Sequence, residues 1–373
     1  MIFANIFLIF LQFVVYSAFL FANVKKKLYL CSMNQSIRFI QHMPALAALL
    51  LCMSPAAWAC TSVIVSGKAT TSGRPLMLKH RDTDDQQNSV QLFSGERYSF
   101  IGLVNSCSPP GEVWTGTNDA GFSIMNTASY NFREDSLDIT MDREGELMYK
   151  ALSLCATVED FEVLLDSCLK PLGVEANFGV IDAHGGAAYY EVNNFRWVKY
   201  DVNAIDCGYR VVTNFCEAGR REDYQGWDRY LIASDVMAEE FAPDVDHRFF
   251  FERLSRNTTE RNGHRIPRNI TSASIVIEGV QPDSDPLATV MWTILGDPLT
   301  HIAEPLTLRN YPAQTPPSPL GKGERVKTTN EPRTVARIRR DGLTRQHNLN
   351  RQKEERLRKK FLRRHSTVKP LNR

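Results

Sequence analysis

Ser54-Pro55-Ala56-Ala57-Trp58-Ala59-Cys60-Thr61 is the stretch from which the rest of the chain is read. Just upstream, Ala47-Leu-Ala-Ala-Leu-Leu-Leu-Cys-Met53 is an apolar run, and Ala57-x-Ala59 has the small-x-small pattern of a signal-peptidase site. A cut after Ala59 makes Cys60 the first residue of the mature chain. A terminal cysteine carries a thiol and a free α-amine on the same residue, so nucleophile and base arrive together. A thiol of pKa about 8.5 is only a few per cent ionised at neutral pH and needs a base or a cation beside it. An α-amine titrates at about 7.7–8.0, close enough to neutrality to take the thiol proton and return it to a leaving amine.

Upstream of this junction the leader holds two apolar stretches. Ile2 to Val24 is about long enough to span a bilayer and is followed by Lys25-Lys26-Lys27. The second begins after Met33, with Arg38, its own apolar run and the Ala-x-Ala site, and is a complete signal peptide by itself. The expected organisation is an upstream extension over 1–32, mis-called or, in the rival reading, an apolar membrane anchor. A signal peptide over 33–59 and a catalytic domain over 60–310 follow it. A lipoprotein is disfavoured, because Ala57 and Trp58 stand where a lipobox has Leu and its neighbour. The mature product is expected in the periplasm or secreted, with signal peptidase as its maturation partner.

Downstream, Thr61 to Ser66 and Arg74 to His80 read as two strands joined by Gly67 and the Thr70-Thr-Ser-Gly73 turn. Arg81-Asp-Thr-Asp-Asp85 is a polar cluster at the end of the second strand. Gln91 to Leu103 alternates as β structure, Trp114 to Gly121 reads as a turn, and Phe122 to Asn126 as a strand ending on asparagine. Two helices are predicted over Glu144–Cys155 and Val158–Leu169, the second capped by Thr157. Strands follow at Phe178–Asp182, Ala187–Val192 and Tyr209–Thr213, and helices at Tyr224–Phe241 and Asp246–Arg256. Ser272–Glu278 and Ala288–Leu295 close the body as strands. The Pro-rich segment Pro312–Pro319 marks the end of the packed domain, and 311–373 reads as a basic, disordered tail in which 351–364 can form a charged helix.

The net charge of +2 hides an asymmetry, because Gly321 to Arg373 holds 18 of the 44 Lys/Arg but only five of the 42 Asp/Glu. An acidic body with a basic tail is not the footprint of a nucleic-acid-binding fold. Of the eight cysteines, Cys31 and Cys52 precede the cut. In an oxidising compartment Cys155–Cys168 and Cys207–Cys216 can pair, leaving Cys107, but spacing alone does not fix connectivity. No Cys or His group has zinc spacing, so neither a metal nor a cofactor is expected.

The ordered blocks resemble the cysteine branch of the N-terminal-nucleophile hydrolases. That branch includes choloylglycine hydrolases, penicillin V acylases, isopenicillin N acyltransferases and secreted cysteine dipeptidases. The resemblance covers about Cys60 to Pro305. It is carried by Cys60-Thr61, Arg81-x-x-Asp84, Asn118-x-x-Gly121 leading to Asn126, Val211-Val-Thr-Asn214, Arg229-Tyr230, and Met291-Trp-Thr-Ile-Leu-Gly-Asp-Pro298. Asp82 stands where the family often has Asn. The resemblance implies an α+β fold, an αββα sandwich of two stacked antiparallel sheets between helical layers. It also implies hydrolysis of a linear amide C–N bond in a small molecule or short peptide, with acyl transfer and dipeptide cleavage as alternatives within the family. An inactive binding protein is the alternative from another class.

By the same resemblance Cys60 is the nucleophile, Arg81 stabilises the thiolate, and Asp84 accepts from the α-ammonium. Asn126, with Asn131 in reserve, and Asn214 donate to the oxyanion, while Arg229 supports the charge network. The histidines His80, His184 and His301 read as structural.

Overall fold

The computed structural model describes residues 60–85, 87–105, 111–133, 141–221, 224–310, 324–328 and 340–365. The leader segments 1–32 and 33–59, Cys107 and the Pro-rich segment 312–319 lie outside the described residues.

Two antiparallel sheets form the body. The first has six strands: β1 (Thr61–Val65), β2 (Leu76–Asp82), β10 (Tyr209–Val212), β11 (Thr271–Glu278), β12 (Val290–Leu295) and β13 (Glu304–Leu306), in the order β10-β1-β2-β11-β12-β13. The second sheet contains β3 (Asn88–Ser94), β4 (Ser99–Asn105), β5 (Thr115–Asn118), β6 (Ser123–Ala128), β7 (Ala176–Ile181), β8 (Ala187–Val192), β9 (Trp197–Asp201) and β14 (Glu324–Thr328). Its order is β14-β3-β4-β5-β6-β7-β8-β9.

The sheets stack face to face, and the period-2 alternation of each strand decides what lies between them. On β1, Ser62 and Ile64 point at the second sheet: the Tyr189 hydroxyl donates to Ser62 Oγ at 3.0 Å, and Ile64 sits over Gly179. A Cβ at Gly179 would come within 3.0 Å of Ile64, Met125 and Tyr189, so the missing side chain is what lets the sheets approach. Val63 and Val65, on the opposite face, pack with Ile232, Val236 and Met237.

Helices cover both outer faces. α1 (Glu144–Leu154) and α2 (Val158–Ser167) lie on the second sheet, where Phe161 makes edge contacts with Phe178 and Tyr190. Thr157 caps α2 as the sequence predicts, and Asp160 returns the bond to complete a capping box. On the first sheet lie α3 (Trp227–Glu240) and α4 (His247–Phe249), which widens into a π-helix over Phe250–Ser255. The layers are therefore helix, sheet, sheet, helix, the αββα sandwich the resemblance implies.

Several parts of the structure differ from the sequence reading. Thr-Gly-Thr at 115–117 is strand rather than turn. Gly116 pairs with Gly102, and a Cβ there would come within 3 Å of Ile101 and Leu152, so glycine here serves close packing under α1. Asn118 does form the turn: its Oδ1 accepts from the Ala120 and Phe122 amides while its Nδ2 donates to the Leu152 and Cys155 carbonyls at the end of α1.

In the basic tail the charged helix allowed over 351–364 is present but begins earlier, as α5 (Arg340–His365), and it is docked on the body. With no apolar stripe, α5 is held by a few anchors. Glu354 pairs with buried Arg256 at 2.5 Å and accepts from the Ala303 amide, Asn350 donates to the Thr300 carbonyl, and Phe361 meets Trp292 edge-on. Finally, Cys155, Cys168, Cys207 and Cys216 are free thiols; Cys216 Sγ donates to Asn177 Oδ1 at 3.2 Å.

Candidate active site

The strand register brings the polar ends of several strands to one edge of the sandwich. β1 and β2 are antiparallel with Thr61 opposite His80, so Cys60 falls opposite Arg81. β10 runs beside β1 with Val212 opposite Ser62, which sets Asn214 next to the same edge. Alternation then aims the side chains. On β2, Met77 lies in the apolar core, and Lys79 and Arg81 follow on the same inward face, so the inter-sheet space turns from apolar to cationic at its rim.

Arg81 is buried among neutral acceptors. Its guanidinium donates to Asn88 Oδ1 and, at 2.7 Å, to Asn105 Oδ1, both on the second sheet, and stacks 5.2 Å from the Trp114 ring centre. Burial pulls its pKa down to about 10, with charge on Cys60 and Asp85 opposing; it remains a cation at neutral pH. Lys79 is 2 % exposed, and its ammonium donates to the backbone carbonyl of Asn126 at 2.7 Å and to its Oδ1 at 2.5 Å. Desolvation lowers the Lys79 pKa to about 8, and negative charge on Cys60 would oppose this.

The second part of the site is built on α3. Arg229, 2 % exposed, donates through Nη1 to the Cys60 carbonyl at 2.5 Å and to Thr61 Oγ1 at 2.9 Å. Its Nη2 donates to Asn214 Oδ1 at 2.8 Å. With Oδ1 so occupied, Asn214 Nδ2 is turned to donate, and one of its hydrogens goes to the Ala128 carbonyl at 2.8 Å. Gly226, at φ +76°, leaves room for this guanidinium, since a Cβ there would meet Arg229 Nη2 at 2.2 Å.

Asp82 and His80 occupy the outward face of β2, on the α3 side. Asp82 is fully buried; it accepts from Arg268 Nε at 2.8 Å and Thr271 Oγ1 at 2.5 Å, and its charge also reaches Arg229. His80 donates or accepts at Thr271 Oγ1 and is pulled below its ordinary pKa by desolvation, so it is neutral.

Of the residues chosen from sequence, Cys60, Arg81, Asn126, Asn214 and Arg229 converge, and Asp84 does not. Asp84 is exposed on the loop after β2. The strand ends with Asp82 facing away from the inter-sheet space, and Asp84 lies beyond the last paired residue. Asn131 is committed elsewhere: its amide bonds to the Cys216 carbonyl and amide and to the Arg220 carbonyl. Lys79, Asp82, Asn88 and Asn105 were missed. Period 2 on β2 was the available signal for Lys79; the two asparagines carry no local signal, because only the stacking of the second sheet brings them to Arg81.

Among the described residues no group of three His, Cys, Asp or Glu is placed to hold a metal ion. A cavity of about 660 Å3 lies elsewhere, lined by His247, Trp292 and Arg351 among others, and includes none of the residues around Cys60.

No family model and no curated protein matches the chain in sequence. Among solved structures, the chain is similar to the Caenorhabditis elegans ortholog of N-acylethanolamine-hydrolyzing acid amidase. The TM-score is 0.46 and the identity 20 %, over 62 % of this chain and 98 % of that one. A mutant conjugated bile acid hydrolase from Clostridium perfringens gives 0.45 and 12 %, over 73 % and 97 %. Penicillin V acylase from Agrobacterium tumefaciens gives 0.36 and 13 %, over 67 % and 87 %. At these values the likeness carries no argument about chemistry, which rests on the residues themselves.

Proposed function

We propose that this chain is an exported amide hydrolase whose nucleophile, Cys60, is activated when its leader is removed. The observation that carries the reading is the convergence on one cysteine of three buried cations, Lys79, Arg81 and Arg229, two of them also holding the side chains of Asn126 and Asn214. A buried cation costs several kcal/mol to desolvate, roughly, unless it is paired. Three of them around a thiol suit a site that works on negative charge: first a thiolate, then an oxyanion.

The reaction follows from these placements. The α-amine released at Cys60 takes the thiol proton, and Sγ attacks the carbonyl carbon of a linear amide. The carbonyl electron pair moves to oxygen, where Asn126 Nδ2 and Asn214 Nδ2 donate to it, a contribution of roughly 3–4 kcal/mol for one such donor. Collapse breaks the C–N bond, the ammonium at Cys60 protonates the departing amine, and a thioester remains. Water, deprotonated by the same amine, attacks the thioester and releases the acid and the thiol. Arg81 stabilises the thiolate. Arg229 fixes the Cys60 backbone, so the thiol and the amine keep their relative positions. Asp84 is left outside this set.

The test is the processed protein, beginning at Cys60, assayed against acyl-amino acids, conjugated bile salts, penicillin V and dipeptides. Turnover lost in Cys60→Ser supports the reading. A diacylglyceryl mass on Cys60, or no turnover of any amide, overturns it.

A further inference from the structure

We infer that Lys79 is a positioning residue that sets the amide of Asn126 so that its Nδ2 is presented as a donor to the reacting carbonyl. This rests on the amide-hydrolase reading above and adds a residue to it. Lysine has three donors and no acceptor, so the atom of the Asn126 amide that it touches must be the oxygen. The same ammonium also holds the Asn126 backbone carbonyl, giving two bonds to one residue, at 2.7 and 2.5 Å. Nδ2 then lies on the other side of the planar amide, and among the described residues it has no protein partner.

The strand frame makes the contact specific. Lys79 lies on β2 of the first sheet and Asn126 on β6 of the second, so the bond crosses the inter-sheet space rather than running along a strand. Lys79 is two residues before Arg81 on the same face, and its position is coupled through that strand to the cation opposite Cys60. Among the described residues no carboxylate is paired with the ammonium: the charged groups that bear on it are Cys60 and Arg81. A buried lysine kept without a carboxylate is a costly arrangement if packing were its purpose, because methionine would fill the space without the desolvation cost. A donor-only group that fixes an asparagine and faces the nucleophile accounts for it.

The experiment uses the processed protein and the Lys79→Met and Lys79→Gln variants, alone and combined with Asn126→Ala. In Lys79→Met, kcat is expected to fall about tenfold or more with KM within about twofold, because the interaction is realised at the oxyanion. In the Asn126→Ala background the same substitution is expected to cost less than about twofold, the non-additivity of residues acting as a unit. A second readout needs no turnover: the Asn126 side-chain amide resonance, assigned by its loss in Asn126→Ala, is expected to shift in Lys79→Met and in Lys79→Gln. If the parent protein cleaves no amide, the functional reading fails while this resonance still decides the positioning. A kcat in Lys79→Met within about twofold of the parent, full additivity with Asn126→Ala, or an unmoved resonance overturns the inference.

Discussion

Arg229 Nη1 lies 2.5 Å from the carbonyl oxygen of Cys60, and the same guanidinium holds Asn214 through its other nitrogen. One side chain on a helix of the outer layer therefore sets both the backbone of Cys60, the proposed nucleophile, and an amide at the edge of β10. Lysine cannot reproduce this fork, since it lacks the planar pair of nitrogens. Arg229→Lys should lower kcat by about 100-fold, and Arg229→Ala should also lower stability by ~1–3 kcal/mol, since several bonds to a charged, buried group are lost. Urea unfolding and steady-state kinetics measure the two effects separately.

The two aspartates after Arg81 should behave in opposite ways. Asp82 is buried between half-buried Arg268, Thr271 and the field of Arg229, so Asp82→Asn should destabilise the fold by ~3 kcal/mol by removing the counter-charge of Arg268 and of buried Arg229. Asp84 is exposed, and Asp84→Asn should change stability by less than ~0.5 kcal/mol and kcat by less than about threefold. Thermal melts and kinetics of the pair would show it. A large kcat loss in Asp84→Asn would restore the α-ammonium partner implied by the family pattern.

The contrast shows how much of the site the sequence carried. Cys60, Arg81, Asn126, Asn214 and Arg229 were legible only through the family resemblance of the blocks that carry them, and the strand register then brings them together. Asp84 was legible as a motif residue, yet the strand stops before it. Lys79 was hidden inside an apolar-looking strand, Arg74-Pro-Leu-Met-Leu-Lys-His80, where its meaning depends on which sheet lies opposite. The fold was readable to the level of layers because β-branched runs, turns and a capping box are local signals. The strand at 115–118 was not, nor were the extension of the charged helix back to Arg340 and its docking, since these depend on contacts with distant segments.

The pH dependence of activity should separate from that of stability. Burial lowers the Lys79 pKa to about 8, so its ammonium, and with it the hold on Asn126, is lost as pH rises past that value. Activity should then fall on the alkaline side with a midpoint near pH 8, and Lys79→Met should lose that limb. Stability moves the other way. Between about 8 and the unfolded value of 10.5 the unfolded chain binds more protons than the folded one, so this group's contribution to stability rises with pH. Rate profiles and urea unfolding from pH 7 to 10 compare the two.

Acid should act through Glu278. Burial raises its pKa, but the hydrogen bond and charge of His247 and the charge of Arg74 outweigh that and hold it at about 2. The stabilisation it contributes is present above about pH 4.5 and is lost as pH falls from there towards 2. Glu278→Gln should show a shallower loss of stability across that window, followed by denaturant titration.

The central claim is that removal of the leader makes the catalyst, because the base is an amine that exists only once Cys60 is terminal. The direct measurement compares turnover by protein beginning at Cys60 with the same protein carrying one additional, uncleavable residue before Cys60, each verified by intact mass. The account predicts turnover in the first and none above background in the second. Equal turnover in both would contradict it.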